Sequence, residues 1–208
     1  MQTSEGVSKA TIERLPAYLR YLKGEAGKGI SYLSSAVVAK DMGISAVGVR
    51  KDLAFVSSGQ GKPRMGFEVK QLIVDIEHFL GYHRRDTAVI VGAGGLGRAL
   101  LAYEGFENYG FDVVAAFDSD PSKIGSYGGK TIYPLERLEE IVRRFDVGTG
   151  ILTVPKEAAQ EVTNTMVNAG IRAILNFAPV YLTVPENVFV KYEDLAVSLA
   201  ALSGALSK

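Results

Sequence analysis

Apolar residues recur at helical intervals through the first eighty positions of the chain, then gather beyond residue 86 into short runs separated by helical stretches. Ile12, Leu15, Leu19 and Leu22 follow one another at three, four and three residues, one stripe of an amphipathic helix. Pro16 falls inside that stripe, where it either occupies the first turn of a helix beginning near Leu15 or kinks a longer one. Ser34 and Ser35 are placed to cap a second helix, Ala36 to Met42, which Gly43 ends as a left-handed residue. A third begins near Ser45 and carries Val47, Val49, Leu53 and Val56 as far as Ser58-Gly59. Helix, glycine-containing turn, helix is the pattern whose second helix can lie in the DNA major groove. The basic, glycine-rich loop from Gly59 to Gly66 ends in the strand-like Phe67-Glu68-Val69 and predicts a hairpin wing, hence a winged helix-turn-helix. A linking helix through Leu72, Ile73, Ile76, Phe79 and Leu80 runs to the polar stretch Gly81-Tyr82-His83-Arg84-Arg85-Asp86, the predicted domain boundary.

Beyond that boundary the short apolar runs are Ala88 to Val91, Val113 to Phe117, Gly150 to Val154, Ala173 to Phe177 and Val188 to Val190. Strands alternating with helices predict right-handed βαβ units and a parallel, Rossmann-like α/β sheet. The tail from Asp194 to Leu206 is apolar almost all round, so it must be buried against another subunit or against its own domain. The organisation read from the pattern is a winged helix with its linker helix over 1–85, a dinucleotide-binding domain over 86–193 and a C-terminal helix over 194–208.

The turn Gly92-Ala93-Gly94-Gly95-Leu96-Gly97 satisfies G-x-G-x-x-G, and its context makes the match specific: an apolar strand precedes it and a helix-forming run follows. The first glycine permits the tight turn, the second lets backbone approach a pyrophosphate, and the third lets helix pack close on strand. N–H groups at the helix start then face phosphate oxygens. Asp118 lies at the end of the second strand, 21 residues beyond Gly97, where an acid accepts hydrogen bonds from both ribose hydroxyls. A 2′-phosphate there would meet Asp118 and Asp120 with no neighbouring arginine, which favours NAD(H) over NADP(H). Coenzyme A, whose pyrophosphate can use a similar turn, is the rival ligand.

Composition narrows the function. At 208 residues, 47% hydrophobic and 22% charged, the chain can bury a core in one or two compact units. The absence of cysteine removes disulfides, thiolate metal sites and thiol chemistry, so a redox role needs a bound cofactor. No signal-like start and no run of about 18 apolar residues is present, and a cytoplasmic protein without membrane or metal partners is expected. The zero net charge hides an asymmetry: residues 1–85 hold 13 Lys+Arg against 8 Asp+Glu, and residues 86–208 hold 10 against 15. A basic half suits a polyanion. Catalytic groups for a dehydrogenase are not visible, since His78 and His83 precede the nucleotide fold and one Rossmann-like unit is expected to fill nearly all of the residues after Asp86. A regulator is therefore favoured over an oxidoreductase, with a structural DNA-binding dimer as a further alternative.

Taken together, Ala10-Thr11-Ile12-Glu13-Arg14-Leu15-Pro16, Val49-Arg50-Lys51-Asp52-Leu53, Val91 to Leu100, Phe117-Asp118-Ser119-Asp120-Pro121, Leu152-Thr153-Val154-Pro155 and Asn176-Phe177-Ala178-Pro179-Val180 resemble the Rex family of redox-sensing repressors. The resemblance covers nearly the whole chain. It implies a homodimer, with exchanged C-terminal helices, that holds palindromic operator DNA when NADH is scarce and releases it when NADH binds. It also implies that Thr153-Val154-Pro155 and Asn176-Phe177-Ala178-Pro179 line the nicotinamide side, and that Arg20, Tyr103 and Asp194 exchange polar partners between two states. Ser45, Arg50 and Lys51 on the recognition helix, with Lys62 and Arg64 on the wing, are the expected DNA contacts. The chain departs from the family pattern at Gly48, where glutamine is frequent, and at Pro63-Arg64-Met65-Gly66-Phe67, where the wing usually reads Arg-Gly-x-Gly-Tyr.

Overall fold

The structure, a computed structural model, describes residues 8–59, 61, 62, 64–82 and 85–206. Gln60 and Pro63 of the expected wing and His83 and Arg84 of the expected boundary lie outside the described residues. The chain divides into two compact units, Met1–Arg84 and Arg85–Lys208.

In the first unit, Ser8 caps α1 (Lys9–Gly27) by accepting the Thr11 N–H at 3.1 Å. Pro16 lies inside this helix, so of the two expected arrangements the longer helix is the one formed. A two-residue strand β1 (Tyr32–Leu33) comes before α2 (Ser35–Met42), capped by Ser34 and closed by Gly43 in the left-handed conformation. There follow α3 (Ala46–Val56), capped by Ser45, β2 (Phe67–Glu68) and α4 (Val69–Leu80). Leu15, Tyr18, Leu19 and Leu22 of α1 bury against Val38 of α2, Val49 and Leu53 of α3, and Val69, Leu72 and Ile76 of α4. Each contributor comes from the apolar stripe of its own helix, which is why the pattern located these helices.

The wing differs from its expected form. Phe67-Glu68 pairs antiparallel with Tyr32-Leu33 rather than with the other arm of the loop, and Val69 already belongs to α4. The loop itself is closed lower down by Lys62 and Gly66, which exchange backbone hydrogen bonds of 2.8 and 2.9 Å. A side chain on Gly66 would run into the Leu33 carbonyl, so glycine is obligatory where wing meets β1.

The second unit is built from β3 (Asp86–Val91), α5 (Gly95–Leu101), β4 (Phe111–Asp118), β5 (Gly125–Tyr127), β6 (Lys130–Pro134), α6 (Leu138–Arg144), β7 (Thr149–Leu152), α7 (Lys156–Ala169), β8 (Ala173–Asn176), β9 (Phe189–Tyr192) and α8 (Leu195–Leu206). The sheet order is β5-β6-β4-β3-β7-β8-β9, parallel throughout except for β5 against β6. Leaving out the β5 edge, this is the doubly wound order whose direction reverses between β3 and β7. Ala88 to Val91 of β3 are buried without interruption, as a central parallel strand covered on both faces requires. The β5–β6 hairpin leaves no trace in the apolar pattern because Gly125, Ser126 and Tyr127 are exposed and carry no apolar alternation.

α8 forms where the tail predicted a helix, but its described side chains are left exposed. Leu195, Val197, Leu199 and Leu202 are 64–69% exposed.

Candidate functional site

The glycine turn leaves β3 at the reversal point of the sheet, where ligands bind in open α/β folds. Gly92 takes φ +105°, and a Cβ there would lie 2.8 Å from the Thr153 carbonyl. A Cβ on Gly97 would fall on the Gly92 carbonyl oxygen. These two glycines are therefore demanded by the protein itself. Gly94 and Gly95 are different: a Cβ on either meets nothing within 4 Å, so the turn is open on that side. Ala93 is buried, while Leu96 is 39% exposed on α5. Since α5 has only seven residues, the local N–H groups of the turn, more than a helix dipole, are what it offers to phosphates.

Asp118 ends β4 beside this turn and is 8% exposed. Its Oδ2 accepts the Ala93 N–H at 2.7 Å and its Oδ1 accepts the Asp120 N–H at 2.9 Å. Lys123 Nζ lies 3.1 and 3.2 Å from the two oxygens. No arginine lines the cavity beside Asp118 among the described residues, but a lysine five residues along reaches back across a short helical turn. Gly92, Gly94, Asp118, Lys123, Thr153, Val154 and Pro155 line one cavity of about 590 Å³. Thr153 closes its floor by donating its hydroxyl to the Gly92 carbonyl at 2.7 Å.

Asn176 and its neighbours lie elsewhere on the same C-terminal edge of the sheet. The Asn176 side chain donates to the Ala178 and Val180 carbonyls, both at 3.0 Å, and accepts the Ala178 N–H at 2.8 Å, which fixes the loop after β8. Phe177 is half-buried against one of the core clusters of the sheet, with its N–H on the Leu152 carbonyl. Asn176, Ala178 and Pro179 line a second cavity of about 250 Å³ together with Tyr181, Tyr192 and Asp194. Asp194 also caps α8, its Oδ1 accepting from the Ala196 and Val197 N–H groups at 2.9 Å each. Tyr103 is 57% exposed, edge-on to Phe106, and Arg20 is exposed on α1.

In the first unit, Ser45 caps α3 through the Gly48 N–H at 3.4 Å. Arg50 and Lys51 are exposed on α3, whereas Val49, Asp52 and Leu53 are buried. Arg50, Lys62 and Arg64 line a cavity of about 480 Å³ between the cap of α2, α3 and the wing. Lys62 is tethered by donating to the Tyr32 hydroxyl at 2.8 Å, with its ammonium 4.9 Å from the ring centre. Arg64 holds φ +66°, a conformation that favours glycine.

Sequence reasoning missed Tyr32, Lys123 and the ties of Asp52. Asp52 accepts hydrogen bonds from Thr11 at 2.9 Å, Arg14 at 2.8 and 3.0 Å, and Tyr18 at 2.8 Å. Burial opposes its ionisation, but the bonds from Arg14, Tyr18 and Thr11 outweigh that and hold the carboxyl below its usual range. Burial and the facing carboxylate push the Tyr18 phenol up to about 12. The signal was present: Asp52 falls with Val49 and Leu53 on the buried stripe of α3, where an acid needs partners.

Residues 83–180 match the family model described as "CoA binding domain", and residues 6–54 match "Putative DNA-binding protein N-terminus". The chain is 42% identical over 193 residues to the redox-sensing transcriptional repressor Rex of Treponema denticola, covering 92% of this chain and 91% of that one. With the Rex of Carboxydothermus hydrogenoformans it shares 43% over 198 residues, 95% of each. The chain belongs to the Rex family of redox-sensing transcriptional repressors. Among solved Rex-family structures, RSP in complex with β-NAD+ and operator DNA superposes with a TM-score of 0.89 at 35% identity, over 96% of this chain and 92% of that one. RSP in complex with β-NADH gives 0.87 at 34%, over 98% and 95%. These Rex relatives are named as repressors, not as enzymes. Among the described residues no helix is long and apolar enough to cross a membrane.

Proposed function

We propose that this protein is an NADH-responsive repressor that holds palindromic operator DNA while NADH is low and releases it when NADH binds. The observation that carries the reading is the pairing, in one chain, of a basic winged helix with a dinucleotide turn, matching at TM-score 0.89 a repressor solved with both β-NAD+ and operator DNA. Asp118 would hold the adenine ribose in place of its bond to Lys123, and the open backbone at Gly94 and Gly95 would receive the pyrophosphate. Two carboxylates, Asp118 and Asp120, against one ammonium disfavour the phosphomonoester carried on the ribose of NADP(H) or coenzyme A. Arg50, Lys51, Lys62 and Arg64 contact DNA, and Ser45 orients the helix that bears the first two. α8 is the dimerisation helix, covered by a second copy of the chain, and Arg20, Tyr103 and Asp194 change partners in the switch. The protein acts in the cytoplasm.

Operator titrations at fixed ligand test the reading. Saturating NADH is expected to weaken operator binding at least tenfold, and NAD+ much less, because a ligand shifts an equilibrium only by its differential affinity for the two states. Unchanged DNA affinity under saturating NADH rejects the switch. Protection against thermal unfolding by coenzyme A rather than NADH would favour the rival ligand.

A further inference from the structure

The solvent face of α3 is a stripe of Val47, Arg50, Lys51 and Ala54, at i, i+3, i+4 and i+7. Its basic pair suits any stretch of phosphate backbone. Its first turn does not. Val47, the second residue of the helix, is 65% exposed, and the core takes nothing from it, since Val49 and Leu53 supply the buried contacts. A lone exposed valine is ordinary, but the next residue is a glycine inside a helix, where glycine is unfavourable. Nothing in the protein asks for it. Gly48 lies in a right-handed helix with no positive φ, and a Cβ built there meets only Ser45 Cβ at 3.8 Å and Oγ at 4.0 Å, ordinary contact distances. Ser45 is occupied as the cap.

The N-terminal turn of a recognition helix is the part that faces base edges. Here that turn offers an apolar branch and a cleared surface in place of hydrogen-bonding side chains. In the major groove the apolar feature of a base edge is the thymine C5-methyl. We propose that Val47 is a specificity-determining residue that packs on a thymine methyl in each half-site, and that Gly48 clears the helix surface beside it so that the base pair can approach. Hydrogen-bond reading then falls to Arg50, which suits guanine. This inference rests on the DNA-binding reading of α3 given above.

The test uses the full chain and duplexes enriched from a random pool by repeated binding. Each thymine of the enriched sequence is replaced singly by deoxyuridine, which removes only the methyl group. One thymine per half-site should lose about three- to fivefold in affinity, the worth of burying one carbon. V47A should weaken the thymine duplex by a similar factor and be indifferent to uridine at that position. G48A should keep or raise the melting temperature, because its methyl has room in the free protein, while weakening operator binding. An enriched sequence with no thymine coupled to Val47 overturns the inference and leaves the DNA-binding reading standing. Operator affinity unchanged in G48A overturns the clearance role. A pool that yields no enriched sequence overturns both the inference and the reading it rests on.

Discussion

Gly92, Gly94 and Gly97 share one motif but answer to different neighbours, and alanine should tell them apart. At Gly97 a methyl falls on the Gly92 carbonyl, so G97A is expected to destabilise the second unit by more than about 2 kcal/mol, read by urea unfolding. At Gly94 the methyl enters open space and the backbone is extended, with φ −73°, so G94A should melt at or above the wild-type temperature. Its NADH affinity should nevertheless fall at least about tenfold, because the Cβ takes the space of the pyrophosphate. Asp52 provides a residue-scale test in the other unit. D52A should cost about 2–4 kcal/mol, the lower figures applying because Arg14 is 39% exposed and stays partly hydrated when its partner goes. The Asp52 carboxyl is depressed in the folded state, so its contribution is complete above the ordinary value of 3.8 and is lost as pH falls through the folded value. The stability gap between wild type and D52A should therefore be widest near neutrality and narrow as pH falls below 3.8.

Among the elements, α8 is the one whose environment is incomplete. It begins at a well-made cap on Asp194 and then exposes Leu195, Val197, Leu199 and Leu202, which no isolated helix in water would present as a stable arrangement. A second copy supplies the missing surface under the dimer reading, so L199D should convert the protein to a monomer in sedimentation equilibrium. Melting of the winged helix should be unaffected by the same change. The wing shows the opposite case, an element whose position was legible and whose pairing was not. Phe67-Glu68-Val69 stood in the sequence as a hairpin arm, yet Phe67 and Glu68 pair with β1, thirty-odd residues upstream, a strand too short to leave a periodic trace.

At the scale of the whole molecule, two units of opposite charge each carry one proposed ligand site, and the proposed switch lies in the coupling between them. Linkage makes that coupling reciprocal: whatever factor NADH takes from operator affinity, operator must take from NADH affinity. Isothermal titration of NADH into free and operator-bound protein should return the same factor as DNA titrations in NADH; unequal factors would mean that the two ligands are not read by one two-state equilibrium. Much of this arrangement was written in the chain. Helix stripes, caps at Ser34 and Ser45, the left-handed Gly43, the central strands and the glycine turn are local patterns, set by periodicities of 3.6 and 2 and by what a few side chains do to the nearest backbone groups. What tertiary structure alone decided are the meetings of distant segments. It put Tyr32 under Lys62, Arg14 and Tyr18 on Asp52, and Thr153 against the first glycine, and it set Asn176 and Asp194 on a cavity apart from the dinucleotide turn. Lys123 on Asp118 is a shorter-range case of the same thing, since only the turn between them brings the two together. Such contacts leave no period in a sequence, because their energy depends on register between strands and on the crossing of helices, which exist only once the core has closed.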